Sequence, residues 1–323
     1  MKQKNIEFLL CFDKNYLNQG FSAILSLLSN VDKEIDIHII HNVEKIESLI
    51  PDAIDSNINL KSINFYQVRK DYNFFPNIEN KHVSEATYFR LFASELLSKE
   101  IKFLTYLDAD TICVSNPMKE LENMFELMQK EKFIISAKTE EEKSKIVDFY
   151  SKHMNSYEIP FARLPISEKY FNAGVMCINF EEWLNQGISE KLFENLEKYS
   201  KDLVNWDQDV LNITFNGNYS ELNNELNHYD TEIYNKKDLA NTKFIHFVGS
   251  KKPWNPTSKI KPISMSYHNI YRKFNDEYFH IKHIWRKKSI IYLLNSIFNF
   301  SIFNLDKPFT YSYQFVKSLK KKI

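Results

Sequence analysis

The stretch Lys102-Phe-Leu-Thr-Tyr-Leu-Asp-Ala-Asp110 carries the residues best suited to chemistry. An apolar run ends in two carboxylates, Asp108 and Asp110, spaced i and i+2. Along an extended strand that spacing sets both on one side. Two oxygen donors presented together suit a hard divalent cation such as Mg2+ or Mn2+. In open α/β sheets, ligands gather at the carboxyl ends of strands. Many strands also end in a solvated turn of the same composition, so the rest of the chain decides between the two.

The elements that must position this pair read as strands alternating with helices. Residues 5–12 form an apolar opening strand, and 13–16 the turn after it. From Leu17 to Leu28 the apolar residues Phe21, Ile24, Leu25 and Leu28 share one helical face. Strands follow at 34–40 and 59–65, with a helix over 43–53 between them. A loop spans 70–83, and Ser84 can cap a helix that carries Glu85 near its start and Arg90 within it. Beyond the Asp pair come a helix over 118–128, a strand over 132–137 and a polar excursion over 140–165. A strand over 170–179, helical segments at 181–183 and 189–199, a helix opening at Trp206 and a strand over 244–248 complete the body. This alternation predicts a parallel, doubly wound α/β sheet with right-handed crossovers.

Composition narrows the class. Of 323 residues, 43% are hydrophobic and 15% aromatic, enough for a large core, and 5 glycines argue against a Gly-rich nucleotide loop. Cys11, Cys113 and Cys177 sit singly in apolar runs, which points to a reducing, cytoplasmic setting without a disulfide framework. The opening apolar run is cut short by Asp13, too soon for a signal peptide. Net charge is zero, yet residues 256–323 hold 13 Lys and Arg against 3 Asp and Glu. The tail is therefore +10 and the body −10, so a basic surface awaits an anionic partner.

Six blocks together are more specific than any one of them. They are Phe12-Asp-Lys-Asn-Tyr16, Ala86-Thr-Tyr-Phe-Arg-Leu91, Tyr106-Leu-Asp-Ala-Asp110, Tyr170-Phe-Asn-Ala-Gly-Val175, Asp207-Gln-Asp-Val-Leu-Asn212 and His246-Phe-Val-Gly-Ser-Lys-Lys-Pro-Trp254. In this order and spacing, over about residues 5–255, the chain resembles glycosyltransferase family 8, the retaining sugar-nucleotide-dependent transferases. It looks most like the bacterial galactosyl- and glucosyltransferases that extend lipopolysaccharide or glycoprotein glycans. The resemblance implies a GT-A fold: α/β, Rossmann-like, with a mixed, mostly parallel sheet and flanking helices. Residues 1–255 would form the catalytic domain, and 256–323 a small helical, basic, aromatic-rich C-terminal region. It further implies a UDP-sugar donor (UDP-glucose or UDP-galactose), a divalent cation and a glycan acceptor: lipopolysaccharide core, glycoprotein or saccharide.

Each block then takes an expected role. Asp108 and Asp110 would bind the cation, with His246 as third ligand, and an imidazole beside two carboxylates favours Mn2+ over Mg2+. A metal so held neutralises charge on a departing diphosphate. Gly249 and Lys252 offer backbone and ammonium donors to the same group. Cys11, Phe12, Asp13, Asn15 and Tyr16 lie where the base would sit, an amide or carboxylate pairing with uracil and a ring stacking on it. Arg90 and Ala109 would face donor sugar or diphosphate. In Asn172-Ala173-Gly174, small residues admit the backbone close to the ligand, and Asn172 would bond a sugar hydroxyl. Gln208, a neutral amide and poor nucleophile, would lie under the anomeric carbon, which suggests front-face transfer rather than double displacement. Asp207 would hold donor hydroxyls, and Asp209 would act either as a helix-start anion or in the same network. The segment Ser136-Ala-Lys-Thr-Glu140 departs from the family, with Lys138-Thr139 near the place of an acceptor-binding carboxylate, and Val248, Ser250 and Lys251 vary within the last block.

The tail predicts an interfacial helix. Ile290, Leu293, Leu294, Ile297 and Ser301 follow helical spacing between Arg286-Lys287-Lys288 and Lys320-Lys-Lys322, with Asn295 and Asn299 off that face. The apolar run is too short to span a bilayer and fits the anionic inner surface of the cytoplasmic membrane. Packing on the catalytic domain or an oligomer contact is the alternative. Nucleic-acid binding does not fit an acidic body. Two rival functions start from the same residues: a haloacid-dehalogenase-type phosphatase or phosphomutase, suggested by Asp108-Ala-Asp-Thr111, and a non-catalytic nucleotide-sugar-binding protein. The first also wants a downstream Gly-Asp, and no glycine here precedes Asp.

Overall fold

Side chains along strand β1 (Ile6–Phe12) alternate between two apolar layers. Ile6, Phe8, Leu10 and Phe12 enter one core, Leu9 and Cys11 the other. A strand covered on both faces needs such a near-continuous apolar run. The computed structural model describes residues 5–68, 75–76, 85–153, 160–233, 235–256, 262–283 and 286–320. The remaining strands are β2 (Ile35–His41), β3 (Leu60–Gln67), β4 (Phe103–Leu107), β5 (Thr111–Cys113), β6 (Ile135–Glu142), β7 (Lys169–Asn179), β8 (Ser220–Glu221), β9 (His228–Tyr229) and β10 (Phe244–His246).

Seven of them form one sheet in the order β3-β2-β1-β4-β7-β6-β8, and β5-β10-β9 form a small second sheet. Strands β1 to β4 are parallel, as the alternation of elements predicts. Beyond them β7 runs antiparallel to both β4 and β6, the mixed arrangement that the family resemblance implies. The sheet is thus mixed and mostly parallel. Residues 140–165 finish β6 and then form helices Lys143–His153 and Pro160–Arg163, after which β7 enters the sheet between β4 and β6.

Helices Leu17–Leu28, Met118–Glu131 and Ser264–Tyr271 cover the first face, and Ile188–Tyr199 and Trp206–Phe215 the second. Three local expectations are corrected. Residues 43–53 are not one helix but a 3-10 turn, Ile46–Leu49, and a helical turn, Asp52–Asp55, split by Pro51, which cannot donate within a helix. Glu85–Phe92 is a 3-10 helix rather than an α-helix, with six of its eight residues buried, so tertiary packing overrides amphipathic spacing. The Ser84 cap and most of the 70–83 loop lie outside the described residues. The last body strand ends at His246 rather than Val248, because the Val248 N–H bonds back to the His246 carbonyl at 3.0 Å and closes a tight turn.

The C-terminal region does not stand apart from the body. Ile263, Tyr267, Ile270 and Tyr271 join the same core as Trp254 and β1. Phe279, Tyr311 and Phe315 form a satellite core beneath helices Arg286–Phe298 and Pro308–Leu319. Leu293 packs inward there, whereas Ile290, Leu294 and Ile297 are exposed, and Ser301 belongs to a separate 3-10 turn. No described helix is long and apolar enough to cross a membrane.

Candidate active site

The Asp pair does not lie along a strand as its spacing predicts. Strand β4 ends at Leu107, and Thr111 folds back, its N–H and Oγ1 both donating to the Asp108 carbonyl at 3.1 and 2.8 Å. Asp108-Ala109-Asp110 is therefore a turn joining two sheets, and Thr111 closes it. Convergence of the carboxylates survives, now through the turn. Register then brings in the third group: β10 pairs antiparallel with β5, setting His246 opposite Thr111. One ligand atom from each of Asp108, Asp110 and His246 lies within 4.8 Å of the others.

Orphaned polarity marks what this cluster lacks. Asp110 Oδ1 is buried without a hydrogen-bond donor, and His246 Nε2 stands 3.3 Å from it. Burial would raise the Asp110 pKa, but the Lys252 ammonium and then His246 outweigh it and hold the carboxyl below the usual range. An ionised carboxylate oxygen with no donor, beside an imidazole nitrogen and a second carboxylate, fits a divalent cation. Gly174 makes room for it. A Cβ there would collide with the His246 ring and come within 2.9 Å of Asp108 Oδ2.

Behind the cluster sits a buried cation. Arg90, 5% exposed, pairs through Nε with Asp207 Oδ2 at 2.7 Å and through Nη2 with Asp108 Oδ1 at 3.3 Å. Its Nη1 donates to the Ala173 carbonyl at 2.5 Å, and its guanidinium lies 4.0 Å over the Tyr106 ring. The Tyr106 hydroxyl, kept protonated by burial, donates to Asp108 Oδ1 at 2.6 Å. Asp207, also bonded by Thr87, is raised to about 6: burial pushes it up, Arg90 and Thr87 pull it down, and Asp108 pushes it up again.

The cluster forms the floor of a cleft of about 580 Å3. Cys11, Phe12, Tyr16, Arg90, Asp108, Ala109, Asp110, Asn172, Asp207, Gln208, His246, Gly249 and Lys252 line it. Ala173 and Gly174 lie directly behind, on β7. Asp13 and Asn15 face each other instead. Asp13 accepts from the Asn15 N–H at 2.8 Å and its side-chain amide at 3.2 Å, closing an Asx turn. Gly249 adopts φ +69°, a left-handed conformation that suits glycine, as the chain rounds the cleft rim toward Lys252. Lys252 pairs with Asp110 Oδ2.

Asp209 lies in the first turn of the Trp206–Phe215 helix. Its carboxylate accepts the Val204 and Asn205 N–H groups at 2.7 Å each and the Tyr170 hydroxyl at 2.6 Å. It thus braces the loop entering the Trp206–Phe215 helix, where Trp206 holds φ +53°. Gln208 takes the Ala173 N–H on Oε1 at 3.0 Å and donates from Nε2 to Tyr170 and to Glu140, at 3.2 and 3.1 Å. Glu140, Thr87, Tyr150, Asn205 and Trp206 also line the cleft and were not among the expected residues. Thr87 belongs to the Ala86-Thr-Tyr-Phe-Arg-Leu91 block. Glu140 sits one place beyond Lys138-Thr139, displaced by a bulge in β6. Lys282, from the basic tail, donates to the Asn15 carbonyl at 2.7 Å and lies 5.1 Å over the Tyr16 ring, a contact no local pattern could reveal.

A mixed α/β sheet whose parallel strands end at a cleft with two carboxylates, a histidine and buried cations defines a GT-A type transferase. Residues 7–258 match the model of glycosyl transferase family 8, and the chain belongs to that family of glycosyltransferases. General stress protein A of Bacillus subtilis (strain 168) is 25% identical over 301 residues, covering 86% of this chain and 93% of that protein. Lipopolysaccharide 1,3-galactosyltransferase of Salmonella typhimurium is 27% identical over 257 residues, 75% of this chain and 71% of its own. The fold matches the crystal structure of the galactosyltransferase LgtC solved with donor and acceptor sugar analogues. Their TM-score is 0.64 at 21% identity, over 87% of this chain and 99% of that one.

Proposed function

We propose that this glycosyltransferase moves a hexose, glucose or galactose, from a UDP-sugar to a glycan acceptor with retention at the anomeric carbon. The observation that carries this reading is the convergence of Asp108, Asp110 and His246 on the floor of a cleft walled by Arg90, Lys252 and Gln208. Those three residues would hold Mn2+, with Mg2+ the alternative, and a cation bound there supplies positive charge to the diphosphate. Lys252 and the Gly249 loop add donors at the same wall. Arg90, clamped by Asp207, Asp108 and the Ala173 carbonyl, keeps its charge fixed beside the reacting region without reorganising. Gln208, tied through both amide atoms, presents a neutral group. Transfer would then proceed on one face: the bond from anomeric carbon to phosphate oxygen breaks, the bond to the acceptor oxygen forms, and the acceptor proton passes to the departing phosphate oxygen. The test is a screen of UDP-glucose and UDP-galactose hydrolysis with Mn2+, repeated with saccharide acceptors. Asp108→Ala and Asp110→Ala should each lower turnover at least 100-fold with unchanged circular dichroism. Activity retained in both variants would sink the assigned metal site.

The basic tail supports a second part of the proposal. In this reading residues 1–255 carry donor binding and 256–323 carry attachment to the inner face of the cytoplasmic membrane, where a lipid-linked glycan acceptor would be met. Among the described residues, ten of the fifteen exposed large apolar side chains lie between Ile290 and Val316, including Phe298 at 78% and Phe309 at 79% exposure. Arg286, Lys287, Lys288, Lys307, Lys317 and Lys320 flank or interleave them in sequence. Apolar side chains among cations fit the headgroup region of anionic lipid.

A further inference from the structure

A chain of amides, Asn172 and Asn227 buried within it, runs from Gln208 to His246, and backbone donors fix its direction. The Gly174 N–H donates to Asn172 Oδ1 at 3.0 Å, so that atom must be the carbonyl oxygen. The Ala173 N–H likewise fixes Gln208 Oε1, toward which Asn172 Nδ2 points at 3.4 Å. An oxygen at Asn172 Oδ1 demands a donor from its other neighbour, so the Asn227 atom 3.2 Å away is Nδ2. Asn227 Oδ1 therefore faces His246 Nδ1 at 3.0 Å, and an acceptor there requires that Nδ1 carry hydrogen. In the neutral ring, the lone pair of Nε2 then faces Asp110 Oδ1, 3.3 Å away. Two backbone N–H groups of the Asn172-Ala-Gly174 strand thus dictate the tautomer of a histidine on another sheet.

We propose that Asn227 is a positioning residue for the binding of a divalent cation by His246. It holds the imidazole in the Nδ1–H form with Nε2 aimed at the carboxylates, and through Asn172 it ties that ring to Gln208. Asn227 is fully buried, and β9, which follows it, pairs with β10 so that His228 lies opposite Ile245. This pairing places Asn227 beside His246 across 19 residues of sequence. The inference rests on the metal-site reading above. A second group that orients a metal-binding histidine and sets its tautomer typically changes metal affinity 10–100-fold when removed.

The test measures Mn2+ binding to the full chain without donor, by the loss of free-ion electron paramagnetic resonance signal, alongside thermal melting. Asn227→Leu removes the acceptor at similar volume and should weaken Mn2+ binding 10–100-fold. Asn227→Asp keeps an acceptor for the Nδ1–H and should bind within a few-fold of wild type or tighter, even though it loses the donor to Asn172. If Asn227→Leu does not melt cooperatively, Asn227→Ala serves in its place. Wild-type affinity in a folded Asn227→Leu variant would overturn the role, and so would equal losses in the Leu and Asp variants. Asp110→Ala is the control: a wild-type protein that binds no Mn2+ overturns the metal site together with this inference.

Discussion

At Gly174 a missing side chain does chemical work, because its Cβ position is the space between the His246 ring and Asp108 Oδ2. Gly174→Ala should leave β7 folded yet weaken Mn2+ binding at least tenfold and turnover by more, since small displacements of reacting groups are costly. Titration of Mn2+ into the variant, with melting as control, checks this; wild-type affinity would refute the steric argument. Asp207 carries the pH dependence. Its folded-state pKa of about 6 lies above the ordinary carboxylate value, so the ionised form that pairs with Arg90 is lost as pH falls through 6. The acid limb of kcat/KM should bend near pH 6 with a slope of about one. A flat profile from pH 7 to 5 would show that the Asp207 charge is not needed.

The elements differ in how firmly they hold the site. The loop before the Trp206–Phe215 helix hangs on Asp209, whose oxygens accept two backbone N–H groups and a tyrosine hydroxyl. Removing that carboxylate strands buried donors, each worth about 1–3 kcal/mol. The two tail helices pack around a small core of Phe279, Tyr311 and Phe315 and expose many of their apolar side chains. Membrane attachment belongs to this scale. Lys287→Glu with Lys288→Glu should cut flotation with vesicles containing phosphatidylglycerol several-fold, at about 1 kcal/mol per basic residue. Hydrolysis of the soluble donor should be unchanged. Equal flotation with neutral vesicles, or a dimer of wild type that the double variant loses, would refute the anionic-lipid reading.

For the molecule as a whole, acid stability is tied to the joint between body and tail. His268, in the Ser264–Tyr271 helix against the main core, is fully buried, and burial lowers its pKa to about 3, the Arg272 charge adding to the effect and a bond to the Pro253 backbone opposing it. The unfolded chain protonates near 6.5 while the folded chain resists, so stability is full above that value and drains away as pH falls toward 3. Between pH 7 and 4.5 the loss should be about 2–3 kcal/mol, read as a falling urea midpoint. His268→Gln should flatten that fall, and an unchanged slope would show that other groups dominate.

Much of this protein was legible before any tertiary structure. The alternation of apolar runs and helical spacing predicted the strands on both sides of Asp108, because burial on two faces leaves a visible imprint on composition. The six blocks were legible for a different reason: cation and diphosphate ligation demands particular side chains, and few substitutes exist. What sequence could not carry was direction and distance. The reversed β7, the turn in place of a strand at Asp108-Ala-Asp110 and the 3-10 helix under Arg90 all follow from what packs around them. Glu140, Lys282 and Asn227 reach the site from segments with no motif of their own. Residue type and spacing determined which groups could bind a cation and a sugar nucleotide. Pairing between strands far apart in the chain decided that they meet, and backbone N–H groups, silent in any sequence, decided which nitrogen of His246 faces the carboxylates.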